Sequence, residues 1–223
     1  MQVSGRLQST MRLDIDKYVQ YWNGHRAKLQ AYEGGREAAV LIPLIQQDDG
    51  ETAILFEVRS ARLHTQPSEI CFPGGGIEKD ETPEETAVRE TEEELLISAE
   101  QIIVLGQADG TIGPSGSPMW AYAGVLKDYH QTFSKDEVEE VFCVSLSWLL
   151  THDPEIYAAE AHFSPEEGFP ADTVPGGNRM GKKALTMQIP VYRYGKYVIW
   201  GATARILKSF LDRVKEIVAE ETV

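Results

Sequence analysis

The chain has 223 residues, of which 42% are hydrophobic, and its formal net charge at pH 7 is −14. This size and composition suffice for the core of one domain with a terminal elaboration. Proteins that bind a nucleic-acid backbone replace its counterions with clustered Lys and Arg, so the charge argues against nucleic acid as the main partner. The apolar runs fall short of the roughly 20 residues of a membrane helix, and a basic-then-apolar signal pattern is absent. We therefore expect a cytoplasmic protein that binds neither nucleic acid nor membrane.

Residues 1–36 are predicted to form an N-terminal helical extension, and residues 37–223 the main domain. Apolar side chains recur at helical spacing in the extension until a Gly-Gly pair interrupts the pattern. These apolar residues are Ile15, Tyr18, Val19 and Trp22. A homodimer built on this helix is an arrangement that the sequence leaves open.

Two predicted strands, at 38–45 and 52–59, flank a short polar turn and are expected to pair as a hairpin. A helix is predicted to begin near Pro83, because Thr82 is a suitable N-cap and Glu85 completes a capping box. Further strands are predicted at 102–107, 120–126, 141–145, 184–192 and 196–200, and a last helix at 202–219. Strands thus precede and follow one internal helix without a regular repeat, which favours a mixed sheet flanked by helices, an α+β arrangement.

Residues 151–183 are rich in Gly, Pro and charged residues and are predicted to form a long loop. Three basic side chains near its end are candidates to meet an anionic substrate, or only to offset the acids of the loop: Arg179, Lys182 and Lys183. Two cysteines, Cys71 and Cys143, stand in apolar surroundings with no metal-ligand spacing, so we expect free, buried thiols.

Three glutamates of the internal helix share one face, since Glu90, Glu93 and Glu94 stand at i, i+3 and i+4. Like charges at these spacings each cost a few tenths of a kcal/mol unless water or a cation screens them. A hard divalent cation such as Mg²⁺ or Mn²⁺ takes oxygen ligands and bridges to phosphate oxygens. The face is therefore a candidate site for a metal and a diphosphate, and the alternative is a solvated acidic surface.

The region around this face carries a longer pattern. Gly75 is followed after five residues by Glu81, then after seven by Arg89-Glu90, and then by Glu93-Glu94 and Ile97. The pattern resembles the Nudix box, which reads Gly, five residues, Glu, seven residues, Arg-Glu, an aliphatic, any residue, Glu-Glu, any residue, Gly, an aliphatic. Two positions depart from it: Thr91 replaces the first aliphatic and Leu96 the late glycine. A glycine there would end the helix in a left-handed conformation that leucine adopts at a cost of roughly 1 kcal/mol. Either the helix continues slightly, or the turn differs.

The resemblance implies a Nudix fold, with a mixed sheet sandwiched between helices, and attack of water on a phosphorus of a nucleoside diphosphate derivative. Mg²⁺ or Mn²⁺ would be the cofactor. The implied metal ligands are Glu90, Glu93 and Glu94. Glu81 would assist them, Arg89 would orient one of them by a salt bridge, and Gly75 would let the backbone approach the site closely.

The segment before the box resembles the coenzyme A pyrophosphatase subgroup of that family. Arg59, Ser60 and residues 72–75 match the subgroup signature in register. Residues 136–142 and 198–207 are also similar to later segments of the subgroup, in the same order. The resemblance thus covers most of the chain from residue 38 to residue 211, and it implies coenzyme A or an acyl derivative as substrate.

Some positions depart from the subgroup signature: His64 stands in place of arginine, Ser68 in place of glycine, and Phe56-Glu57 in place of Leu-Thr. They leave open a second hypothesis, a Nudix pyrophosphatase for ADP-ribose or another dinucleotide. A third hypothesis is a non-catalytic binding or regulatory domain of the same fold. The intact set of acids speaks against the third, because a binding domain has no evident need to hold so many acids together.

Residues outside the acidic helix complete the predicted site. Those predicted to bind the substrate are Arg59, Arg62, Gly74 and Gly75. Surface ion pairs are the alternative for the two arginines. Glu137 and Glu140 are candidates for an additional metal ligand or for the base that activates water, against the alternative of a solvated loop.

Overall fold

The computed structural model describes residues 36–47, 50–113, 116–162, 164–179 and 185–220. The predicted N-terminal helix, and with it the surface considered for a homodimer, lies outside the described residues. So do Lys182 and Lys183 of the predicted loop.

Secondary structure follows the predicted order, with some bounds shifted and some elements added. The strands are β1 (Ala38–Gln46), β2 (Thr52–Arg59), β3 (Ile70–Cys71), β4 (Gly74–Gly76), β5 (Ile102–Ile112), β6 (Pro118–Leu126), β7 (Val138–Ser145), β8 (Glu155–Ala161), β9 (Leu185–Tyr194) and β10 (Tyr197–Ile199). The helices are α1 (Pro83–Leu95), α2 (Leu146–Thr151) and α3 (Gly201–Glu220). Among these helices, none combines the length and apolar character that a membrane span requires.

The main sheet has seven strands, in the order β3-β2-β1-β6-β5, with β4 also paired to β1 and β7 to β2. The predicted hairpin of β1 and β2 is confirmed, with Leu44 opposite Ile54. The sheet is mixed, because β1 and β6 are parallel while the other pairs are antiparallel. A parallel pair needs a long crossover connection, and the segment that carries α1 lies between β1 and β6.

Side chains alternate across β2 and serve two separate cores. Ile54 and Phe56 pack in one core with Leu207 of α3, whereas Leu55 packs in the other with Leu95 of α1. The sheet therefore lies between α1 on one face and α3 on the other, which is the sandwich that the resemblance implies.

Residues 151–183 require a correction, because they are not one continuous loop. Strand β8 pairs antiparallel with β9, from Glu155 opposite Val191 to Ala161 opposite Leu185. Together with β10 these strands form a second sheet. Most residues of β8 are exposed, so the strand lacks the apolar alternation that identifies a half-buried strand in a sequence. Its partner β9 supplies the pairing from a distant part of the chain.

The start of α1 agrees with the predicted capping box. The Thr82 hydroxyl accepts a hydrogen bond from the Glu85 N–H at 3.1 Å, and the Glu85 carboxylate accepts one from the Thr82 N–H at 2.8 Å. Pro83 occupies the first turn, where its missing N–H is not needed. The cap sets where the helix starts and hence which face its glutamates present.

Leu96 ends α1 in the way that a glycine would. Its backbone is left-handed, with φ 53° and ψ 48°, and its N–H donates to the Glu92 carbonyl. The turn of the box is thus kept, and leucine adopts the unfavourable conformation. Ser68, which also replaces a glycine of the resembled signature, likewise has a positive φ of 61°. At both positions the fold imposes the backbone conformation on a residue that disfavours it.

Replacing Leu96 by glycine is expected to raise the free energy of unfolding by about 0.5–1 kcal/mol. Relief of the left-handed strain outweighs the greater entropy of glycine in the unfolded chain, and the leucine side chain, 59% exposed, contributes little packing. Urea denaturation measures the difference, with Leu96→Ala as the control that retains a Cβ and should give no gain. A less stable glycine variant would contradict this prediction.

Candidate active site

Arg89 gathers three glutamates at the outer side of α1. Its Nε lies 2.8 Å from Glu81 Oε1, its Nη2 lies 2.9 Å from Glu90 Oε1, and its Nη1 lies 3.4 Å from Glu93 Oε2. The hydrogen bond from Arg89 is the main cause that lowers the pKa of Glu81 to about 2. The structure thus brings Arg89 together with three of the four glutamates that the box predicts, with the guanidinium between Glu81 and the helix.

Glu94 points inward from α1 towards the glycine segment. Its side chain is 2% exposed, its Oε2 accepts the Gly74 N–H at 2.8 Å, and its Oε1 lies 3.7 Å from Arg59 Nη1. Burial, followed by the charge of the neighbouring Glu57, raises the pKa of Glu94 well above its usual range. Burial also raises the pKa of Glu90, against the opposing effect of Arg89. Buried carboxylates of this kind favour binding of a cation or a proton.

The glycines of β4 allow this close approach. A Cβ on Gly75 would lie 2.4 Å from the Glu90 carboxyl group, so the glutamate occupies the space that any other residue would fill. A Cβ on Gly74 would lie 2.3 Å from the Ala39 carbonyl oxygen of the paired strand β1. Gly75 therefore leaves space for the Glu90 carboxylate, whereas Gly74 allows β4 to approach β1 closely.

Gly75→Ala is expected to lower kcat/KM by about 10- to 100-fold, because the Glu90 carboxylate must move by an ångström or more. Stability should change little, since Gly75 does not have a left-handed φ. Steady-state kinetics measures the loss of kcat/KM, and urea denaturation measures any change in the free energy of unfolding. Gly113→Ala is the matched control, because its Cβ would meet the nearest atom at an ordinary 3.5 Å. Equal activity in the two variants would show that the position of Glu90 does not matter.

Of the two predicted substrate-binding arginines, only Arg59 reaches the site. It lines a cavity of about 250 Å³ together with Gln66, Glu69 and residues 74–76. The Arg62 side chain is 69% exposed, pairs with Asp136 at 3.8 Å and donates to the Lys135 carbonyl. Arg62 therefore has the surface ion pair that was the alternative interpretation.

The two additional acids separate in the structure. The charge of Glu137 raises the pKa of both Glu57 and Glu90, so Glu137 lies beside the cluster. Glu140 instead pairs with Lys196 at 2.9 Å and accepts the Tyr197 hydroxyl at 2.6 Å. It stands on β7 opposite Val58, which packs on the α3 side of the sheet. The candidate role of Glu140 as a metal ligand or base is therefore corrected. Of the two acids, Glu137 is the one that lies near the cluster.

Glu57 is a residue of the cluster that sequence reasoning missed. It lies in β2 on the α1 side of the sheet, is fully buried, and accepts a hydrogen bond from Cys71 Sγ at 3.3 Å. Burial is the main cause that raises its pKa to about 7. Both cysteines are free, as predicted, although they are half-buried rather than fully buried. The sequence does carry a signal for Glu57, because a lone acid within an apolar strand is unusual as well as a departure from the subgroup signature.

The donor set fits a hard divalent cation, because among the residues that the structure describes the carboxylates of the cluster outnumber the arginines that pair with them. In the described part of the chain, no three His, Cys, Asp or Glu side chains already stand as a group that could hold a metal ion. Ligation by these glutamates therefore requires rotation of side chains. Glu93, which is 55% exposed, has the room to rotate.

Comparison with known proteins identifies the family of the chain. The NUDIX domain family model matches residues 35–166. The mitochondrial coenzyme A diphosphatase NUDT8 of Homo sapiens is 31% identical over 194 residues, which cover 85% of this chain and 73% of that protein. Nudix hydrolase 15, mitochondrial, of Arabidopsis thaliana is 31% identical over 178 residues, covering 77% of this chain and 56% of that protein.

Other relatives match over shorter parts of their length. Nudix hydrolase 3 of Caenorhabditis elegans is 34% identical over 119 residues, covering 50% of this chain and 48% of that protein. This chain thus spans about half the length of some curated relatives that it matches. A solved MutT/nudix family protein from Enterococcus faecalis has a TM-score of 0.48 and 17% identity, covering 92% of this chain and 70% of that chain. Because the family model matches more than half of the chain, the chain belongs to the Nudix hydrolase family.

Proposed function

We propose that this Nudix protein uses Mg²⁺ or Mn²⁺ to hydrolyse the diphosphate bond of coenzyme A or acyl-coenzyme A, giving 3',5'-ADP and 4'-phosphopantetheine or its acyl form. The observation that carries the proposal is the position of Glu90 and Glu94, two carboxylates held against Gly75 and Gly74 in a site short of positive charge. Such a site has a clear use for a cation that also binds an anionic diphosphate.

In this proposal, Glu90, Glu93 and Glu94 hold the metal. When bound, the metal would lower the pKa of the attacking water and neutralise charge that develops on the bridging oxygen. Arg89 keeps Glu90 and Glu93 in place, and Glu81 in turn holds Arg89 at 2.8 Å. Glu137 is the remaining candidate for the base or for an additional ligand.

The proposed place of the substrate is the cavity that Arg59 and the glycines of β4 line, which extends to Ala202 and Ile206 of α3. Arg59 lines the cavity and lies 3.7 Å from Glu94, so its guanidinium is placed to contact a phosphate of the substrate. The backbone at Gly74 and Gly75 lines the same cavity and leaves space for the diphosphate. Arg62 has no part in this proposal.

The choice of coenzyme A rests on two supports of different kinds. Arg59, Ser60 and residues 72–75 match the subgroup signature, and the printed names of similar proteins include coenzyme A diphosphatases. His64 is exposed where the signature has arginine. This departure keeps ADP-ribose and other dinucleotides as the second candidate substrates. The cytoplasmic location and the homodimer remain predictions.

A turnover panel with Mg²⁺ or Mn²⁺ tests the proposal, comparing coenzyme A, ADP-ribose, NADH and diadenosine polyphosphates. Coenzyme A is expected to give the highest kcat/KM, and Glu94→Gln is expected to abolish that turnover. The absence of turnover with every compound would overturn the enzymatic proposal. A preference for a compound that lacks pantetheine would retain the enzyme and replace its substrate.

A further inference from the structure

The buried Glu57 carboxylate lacks a complete set of partners. Glu57 is fully buried in β2, and its Oε1 accepts a weak hydrogen bond from Cys71 Sγ at 3.3 Å. Among the described residues, Glu57 Oε2 has no hydrogen-bond partner. A buried charged group is retained at a high cost unless it is paired or binds a metal. Packing therefore does not explain why β2 carries a carboxylate at this buried position.

The charges around Glu57 are mostly negative. On α1, Glu94 accepts the Gly74 N–H at 2.8 Å and the Glu90 carboxyl group lies against Gly75. Both therefore reach the chain segment that follows Cys71, the hydrogen-bond partner of Glu57. Among the described residues, Arg59 is the cation beside them, because its Nη1 lies 3.7 Å from Glu94 Oε1 and its buried Nε has no hydrogen-bond partner. Arg89 is shared among Glu81, Glu90 and Glu93. The buried carboxylates thus exceed the positive charges that reach them.

We propose that Glu57 is an additional ligand of the divalent cation, supplied by the sheet rather than by the box helix. This inference rests on the proposed function, because it assigns a further residue to the same metal. Cys71 holds Oε1, which leaves Oε2 available for the cation that Glu90 and Glu94 bind. Mg²⁺ and Mn²⁺ prefer such oxygen ligands. The resembled subgroup signature has a neutral threonine at this position, whereas this chain has a carboxylate.

Mn²⁺ binding without substrate tests the inference independently of activity. Isothermal titration calorimetry should show that Glu57→Gln and Glu57→Thr each weaken Mn²⁺ affinity by about 10- to 100-fold. Glu140→Gln is the matched control, because Glu140 belongs to the neighbouring strand β7 but pairs with Lys196 and Tyr197. This control should bind Mn²⁺ like the unmodified protein. Affinities of both Glu57 variants within twofold of the unmodified protein would overturn the inference.

The outcomes also separate this inference from the proposed function. If the unmodified protein binds Mn²⁺ and turns over substrate while the Glu57 variants bind equally well, only the role of Glu57 fails. If the unmodified protein does not bind Mn²⁺, both proposals fail. Thermal melting in a chelator checks that each variant folds, and the rise in melting temperature on adding Mn²⁺ should be smaller in both Glu57 variants than in the Glu140→Gln control.

Discussion

Glu94→Gln is expected to lower kcat/KM by about 10³-fold or more. Glutamine retains the shape of the side chain, which is 2% exposed and accepts the Gly74 N–H at 2.8 Å, but it loses the charge that would hold the proposed divalent cation. Metal catalysis of this kind contributes several kcal/mol, and about 1.4 kcal/mol corresponds to a factor of ten in rate. Steady-state kinetics over a range of Mg²⁺ concentrations measures the loss.

Glu84→Gln is the matched control for Glu94→Gln on the same helix. Glu84 is exposed in the first turn of α1, so its loss should leave kcat/KM unchanged and cost only a few tenths of a kcal/mol of helix stability. Activity of Glu94→Gln within tenfold of the unmodified protein would contradict the assignment of Glu94 as a metal ligand. Equal losses in the two variants would point to a general effect of helix charge.

The metal-free protein should become less stable between pH 4.5 and pH 8 because of Glu57. Burial raises the pKa of Glu57 from 4.5 to about 7, so the folded state binds this proton more tightly than the unfolded state. The stability associated with the proton is complete below pH 4.5 and is lost as the pH rises through 7. The difference between 4.5 and about 7 corresponds to about 3 kcal/mol.

Glu57→Gln removes this titration. In a chelator, the variant should be more stable than the unmodified protein by up to about 3 kcal/mol at pH 8, and the advantage should vanish towards pH 4.5. Urea denaturation at intervals of pH measures the difference between the two proteins. The groups that face Glu57 are Cys71 on β3, Arg59 on β2, Glu137 before β7, and Glu90 and Glu94 on α1. A difference that does not change with pH would contradict the prediction.

This stability prediction complements the proposed role in metal binding. A buried carboxylate that destabilises the metal-free fold is expected where function requires the charge. Adding Mn²⁺ to the unmodified protein at pH 8 should recover stability, because the cation binds the folded state and favours the charged carboxylates. Glu57→Gln should recover less, since it has less to gain from the cation.

Local patterns were sufficient to predict the helix of the site. The capping box of Thr82 and Glu85 sets the start of α1, and helical spacing brings Glu90 and Glu94 towards one side. The end of α1 was harder to predict. Leucine at residue 96 disfavours the left-handed turn, yet the turn forms, because its cost of roughly 1 kcal/mol is small beside the packing of α1 on the sheet.

Other parts of the site depend on strand pairing, which a single sequence does not specify. Glu137 and Glu140 were equivalent candidates in the sequence, but the alternation of β7 and the irregular register between Val58 and Arg59 place them differently. Strand β8 escaped prediction because most of its residues are exposed. In each case the decisive contact comes from a partner distant along the chain.

The sequence by itself determined the family, the chemical type of the site and the helix that carries most of its acids, because these depend on residue identity and short spacings. Only the tertiary structure decided that Glu57 lies with the acids of α1, whereas Arg62 and Glu140 lie away from them. It also decided that the Glu90 carboxylate occupies the space that the missing side chain of Gly75 leaves. These facts depend on which face of a paired strand meets α1. That face is set by sheet register, since a shift of one residue would turn each side chain to the opposite side.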